Sequence, residues 1–140
     1  MKQKIYRFLK KTLLIIKTPE KMKKTLVLGA SPNPERYSNK ATLRLLEAGY
    51  EVFPVGIQAG RIGELDIAIG MPFYEDIDTI TLYVGPANQA VYESYIFSLK
   101  PQRIIFNPGT ENPHLMMAAE EQGIEVVAGC TLVMLSVGNY

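Results

Sequence analysis

LVLGASPNPERYSNKATLRLLEAGYEV, residues 26–52, contains the transition on which the fold depends. The apolar run beginning at Thr25, TLVLG, predicts a buried strand closed by Gly29. A loop with two prolines follows, and a helical pattern then runs from Ser38 to Ala48. Ser38 suits the N-cap, Ala41, Leu45 and Ala48 fall on one face, and Gly49 suits C′. EVFPVG predicts a second strand, with Pro54 pointing to a strand end rather than a central position.

The same alternation continues along the chain. Residues 58–78 are less regular: LDIAIG reads as a short strand and MPFYEDID as a connection. TITLYVG predicts the third main strand, followed by a helix from about Asn88 to Leu99 that Pro101 stops. RIIFNPG is a fourth strand. Asn112 then caps a helix with Pro113 at N1 and Gly123 at its end, IEVVAG is a fifth strand, and TLVML adds a final extended piece. Strands alternating with helices across short connections imply a parallel sheet covered on both faces. The expected fold is α/β: a Rossmann-like three-layer fold with a doubly wound, mostly parallel sheet.

Length and charge bound the function. The 140 residues suffice for one domain with one substantial core. Residues 1–24 carry nine Lys/Arg against Glu20, a balance of +8, while residues 25–140 carry six basic and thirteen acidic residues, a balance of −7. An acidic body argues against a nucleic-acid groove, which must neutralise phosphates. The sequence divides into a basic N-terminal extension, residues 1–22, expected outside the fold, and a domain over residues 23–140. Within the extension the apolar run Leu13–Ile16 is too short for a secretory h-region or a membrane span, so no integral membrane association is expected. Ile5, Phe8, Leu9 and Leu13 leave a basic amphipathic surface helix open as an alternative. One cysteine, Cys130, permits no internal disulfide, and a reducing cytoplasm is the plain inference. A homodimer is left open.

In an open parallel sheet, ligands bind beyond the carboxyl ends of the strands. The tips here are GASPNPERYS, PVGIQAGR, YVGPANQ and NPGTEN. Glycine lets backbone approach a ligand, and proline fixes a loop's shape in advance. At the first tip, the N–H groups of a helix start lie beside Arg36 and Lys40, with Ser31, Asn33, Tyr37 and Ser38 as further donors. Arg61 follows the second strand. These groups together suit a ligand with several phosphates. GASPNP is a poor dinucleotide fingerprint, because Ser31 and Pro34 replace its second and third glycines, and no Gly-Lys-Ser/Thr P-loop occurs.

The stretch from Leu26 to Val55 resembles the opening of the CoA-binding protein family, small stand-alone relatives of the CoA-binding domain in succinyl-CoA synthetase. Gly29, Ala30, Ser31, Asn33, Pro34, Tyr37, Ser38, Pro54 and Val55 carry the likeness, which extends to Gly85-Pro86, Asn107-Pro108-Gly109 and Cys130. The resemblance implies coenzyme A or acyl-CoA bound at the strand tips. Its phosphates would lie near Ser31, Arg36, Ser38 and Lys40, and its adenine near Val55 and Gly85–Pro86. Where many relatives read Pro-Val-Asn-Pro, Gly56-Ile57 replaces Asn-Pro, and Gln58 stands where larger synthetases often place a lysine, with Arg61 nearby to compensate.

Neither catalysis nor a metal site is expected. His114 is the one histidine and falls at a predicted helix start, Cys130 has no triad partners, and the carboxylates Glu64, Asp66, Glu75, Asp76 and Asp78 read as a solvated acidic connection. A complete acyl-CoA ligase does not fit in this length. The leading expectation is non-catalytic binding of CoA or acyl-CoA. The alternatives are an NAD(H)-binding regulatory domain and a subunit that completes an acyl-CoA ligase with a partner.

Overall fold

The computed structural model describes residues 23–140. The basic extension over residues 1–22 lies outside the described residues. Six strands form one sheet: β1 (Lys24–Leu28), β2 (Glu51–Gly56), β5 (Ala68–Ile69), β6 (Ile77–Leu82), β7 (Arg103–Phe106) and β8 (Glu125–Ala128). A separate antiparallel hairpin pairs β3 (Arg61–Ile62) with β4 (Leu65–Asp66). The helices are α1 (Tyr37–Glu47), α2 (Glu93–Ser98), α3 (Pro113–Glu121) and α4 (Thr131–Val137).

The sheet order is β5-β2-β1-β6-β7-β8, with every pairing parallel. Chain order therefore runs outward from β1 to one edge, returns to β6 on its other side, and runs outward again. The reversal falls between β1 and β6, the switch point at which open α/β sheets bind ligands. The expected Rossmann-like, doubly wound architecture is present.

Period-two alternation in β1 distributes the core between two faces. Leu26 and Leu28 point into a cluster with Ile80, Leu82, Tyr95, Ile96 and Leu115, beneath α2 and α3. Val27 points the other way, into a cluster with Leu45, Val52 and Ile62 on the side of α1. All three β1 residues are essentially fully buried, as a central strand covered on both faces requires.

Four local expectations are corrected. TLVML is helical rather than extended: α4 spans Thr131–Val137, and Gly138 closes it in the left-handed region at φ 78°. Its four-residue apolar run, Leu132–Leu135, fits either period. Here β8 is already the edge strand, so the chain turns back, and Leu135 and Tyr140 pack over the Val27 face. Arg36, not Ser38, is the N-cap of α1, and Ser38 lies buried inside the helix. The cause is the preceding loop: Ser31 Oγ accepts from Asn33 N, Asn33 Oδ1 from Glu35 N, and Asn33 O from Arg36 N, which tightens the chain into an earlier start.

The helix expected over residues 88–99 is broken into two 3-10 turns, Pro86–Asn88 and Ala90–Tyr92, before α2. Buried Gln89 causes the break. Its Nε2 donates to the carbonyls of Val84 (2.8 Å) and Thr110 (2.7 Å), and its Oε1 accepts from Asn112 Nδ2. Pro54 lies inside β2 instead of at its end. The Val55 carbonyl accepts from Gly29 and Ala30, so alternation turns Pro54's missing N–H away from β1, toward the side where β5 pairs only with Val55 and Gly56.

Candidate functional site

A cleft of about 870 Å³ opens at the carboxyl ends of β1, β2 and β6, at the switch point. Three tips build it. After β1, Gly29, Ala30 and Ser31 form the floor, and Arg36, Tyr37 and Ser38 form a wall at the start of α1. After β2 come Gly56, Ile57 and Gln58; after β6 come Tyr83, Val84 and Gly85, with Val91, Tyr92 and Pro108 beyond.

The floor is held by backbone. Gly29 N and Ala30 N both donate to the Val55 carbonyl at 2.9 Å, and Tyr83 N donates to the Leu28 carbonyl at 2.8 Å. Gly29 has φ +100°, and a Cβ on it would meet the Tyr83 backbone at 2.9 Å, so the turn after β1 requires glycine on both counts. At Gly56 a Cβ would collide with the Ala30 carbonyl oxygen. In this chain the β1 tip packs directly on the β2 backbone at this position.

Asn39 Nδ2 donates to the Ser31 carbonyl at 2.9 Å and ties the loop to α1. No side chain caps this terminus. The start of α1 therefore presents to the cleft the positive end of the helix dipole, with the exposed Arg36 beside it. Tyr83 lies on the opposite side. Its hydroxyl is sealed from solvent without a hydrogen-bond partner, the nearby Thr81 and Thr131 hydroxyls being bonded to each other at 2.7 Å. Burial pushes its pKa up to about 12, the neighbouring threonine hydroxyls acting in the opposite direction, so the phenol stays neutral.

Of the residues singled out from sequence, the cleft brings together Gly29, Ala30, Ser31, Arg36, Tyr37, Ser38, Gly56 and Gly85. Others lie outside its lining. Asn33 forms the loop turn described above, and Pro86 begins the first 3-10 turn. Lys40 is exposed, with its ammonium 5.6 Å from the centre of the Tyr37 ring. Arg61 is in β3, paired with Asp66 at 3.1 Å and donating to the Glu64 carbonyl. Val55 is buried in the core, contributing its carbonyl to the floor.

Asn107 is a buried strut. Its Nδ2 donates to Thr81 Oγ1 and the Leu82 carbonyl, and its Oδ1 accepts from Thr131 N. Gly109 N donates to Glu111 Oε1. His114 pairs with Glu93 at 3.6 Å on the surface, and Cys130 precedes α4; neither lines the cleft. Sequence reasoning missed Tyr83, Val91 and Tyr92 as lining residues. Tyr83 directly follows β6, which was a usable signal, whereas Val91 and Tyr92 reach the cleft only because Gln89 breaks the helix.

A second hollow of about 760 Å³ lies at the amino ends of the strands, among Lys24, Asp78 and Lys100. It is at the end of the sheet opposite the switch point and mixes both charge signs. Among the described residues there is no cluster of His, Cys, Asp and Glu fit to hold a metal ion, and no helix long and apolar enough to cross a membrane.

A six-stranded parallel sheet with a glycine-floored cleft at its switch point defines a Rossmann-like ligand-binding domain. Residues 23–136 match the family model described as the CoA binding domain, and the chain belongs to that family. Solved structures agree. The crystal structure of an uncharacterized protein is 51% identical with a TM-score of 0.83, covering 85% of this chain and 98% of that one. A hypothetical protein from Pyrococcus horikoshii OT3 is 28% identical, TM-score 0.73, covering 83% of each chain. A protein from Thermus thermophilus is 25% identical, TM-score 0.75, covering 86% of this chain and 92% of that one. No curated protein matches.

Proposed function

We propose that the chain binds coenzyme A or its thioesters in the switch-point cleft without turning them over. The observation that carries this reading is the convergence of Ser31, Arg36 and Ser38 around the start of α1 on a floor that only glycine permits. The helix end offers N–H groups and about half a positive charge to a pyrophosphate, and Arg36 offers a charge-assisted contact. The exposed Ile57 at the β2 tip gives the adenine an apolar surface. Lys40 and Arg61 are left to long-range attraction, since both lie outside the lining. We place the chain in a reducing, cytoplasmic setting, with which a free Cys130 is compatible.

An NAD(H) reading is disfavoured by β2. Its acidic residue, Glu51, stands at the start of the strand, and the tip carries Gln58 where a ribose-binding acid would sit. Calorimetric titration with CoA, dephospho-CoA and NADH tests the reading. Saturable heat with CoA and none with NADH is expected; binding of NADH alone would overturn it.

A further inference from the structure

The two ends of the cleft differ in chemistry because different strand tips build them. The end beside α1 and β2 carries Ser31, Glu35, Arg36, Ser38 and Gln58. At the end beyond β6, Val84, Val91, Tyr92 and Pro108 line the wall, with Asn88 as the one amide side chain and no charged group. Val91 is 69% exposed there. Its position is fixed, because the turn that presents it is clamped by the buried side chain of Gln89, whose three hydrogen bonds reach Val84, Thr110 and Asn112. A valine held open to water by a buried polar anchor makes a preformed apolar wall.

We propose that this wall receives the hydrocarbon of an acyl thioester, so that the cleft selects acyl-CoA over free CoA. The inference rests on the CoA reading above. On that reading, with the pyrophosphate at α1 and the base at Ile57 instead of at Gly85–Pro86, the far end of the ligand would run past Gly85 toward Val91. A free thiol gains little from Val84, Val91 and Tyr92, whereas each acyl methylene buried against them raises affinity about fourfold. A nicotinamide riboside would leave its carboxamide and hydroxyls facing a wall with a single amide partner.

The test is calorimetric titration of the full chain with CoA, acetyl-CoA and hexanoyl-CoA, repeated on Val91→Asn and Val91→Leu. Circular dichroism confirms that both variants fold. Hexanoyl-CoA should bind the wild type at least tenfold more tightly than CoA, with acetyl-CoA between them. Val91→Asn should reduce that ratio below threefold, and Val91→Leu should keep it. Equal affinities for CoA and hexanoyl-CoA would overturn the acyl proposal while leaving CoA binding intact. A preference that survives Val91→Asn would overturn the role of this wall. Binding of none of the three would overturn the CoA reading itself, and the acyl proposal with it.

Discussion

Replacing Gly56 by alanine tests the packing on which the cleft depends. Gly56 is not at positive φ, so an added methyl meets a steric obstacle and not a conformational one. The methyl would collide with the Ala30 carbonyl oxygen, and Ala30 C at 3.2 Å and Ile67 Cγ2 at 3.4 Å leave little lateral escape. Relief requires the β1 tip to move away from β2. That movement strains the bonds from Gly29 N and Ala30 N to the Val55 carbonyl, both 2.9 Å. Overpacking of this kind costs about 1–3 kcal/mol, and loss of one such bond about 0.5–1.5 kcal/mol. The sum, about 2–4 kcal/mol, lowers the melting temperature of a domain of this size by on the order of 10 °C.

Gly85→Ala is the matched control in the same cleft. Gly85 has φ −65°, and a Cβ there meets nothing within 4 Å, so its melting temperature should stay near wild type. Differential scanning calorimetry on both variants decides the matter. If Gly56→Ala melts within about 2 °C of wild type, the β1 and β2 tips are not in the close contact described, and the floor of the cleft loses its explanation.

Three further outcomes are expected. Arg36→Ala should weaken CoA binding by about 2 kcal/mol, the scale of a charge-assisted contact, while Lys40→Ala should change it less than twofold, as roughly expected of an exposed charge outside the lining; calorimetric Kd values that reversed this order would move the phosphates from Arg36 to Lys40. Asn107→Ala leaves Thr131 N and the Leu82 carbonyl without their buried partner, and should destabilise the fold by about 3 kcal/mol in urea denaturation; a midpoint equal to wild type would show that the strut is dispensable. The stability contributed by Tyr83 and Tyr95 should be constant below pH 10 and fall above it. Burial raises the pKa of Tyr83 and of Tyr95 to about 12, so between the unfolded value of 10.0 and about 12 the folded state holds protons that the unfolded chain has released. For Tyr83 the loss amounts to about 2–3 kcal/mol, and urea midpoints unchanged from pH 9 to pH 12 would contradict its burial.

Much of the architecture was legible in the sequence because its determinants are local. The branched apolar run at Leu26–Leu28 cannot be exposed, and Asn112-Pro113 with Gly123 brackets α3 in the structure as it does in the pattern. The polar loop from Ser31 to Ser38 was recognisable for the same reason: its turn and helix start are made by neighbours in the chain. TLVML is helical where the pattern suggested an extended piece because its four apolar residues fit both periods, and the choice is made by Val27 and Tyr50 on the sheet face that Leu135 and Tyr140 cover.

The site divides along the same line. Residue types and spacing determined that the first tip would gather Ser31, Arg36 and Ser38 at a helix start. The tertiary structure decided what faces them, because Tyr83 and Val91 reach the cleft through strand order and through a glutamine that bonds to residues as distant as Thr110. It also decided that Asn107 and Arg61, equally polar in the sequence, spend their hydrogen bonds on the fold. Side-chain chemistry is written along the chain, but which partner satisfies a donor depends on distances in space that only packing sets.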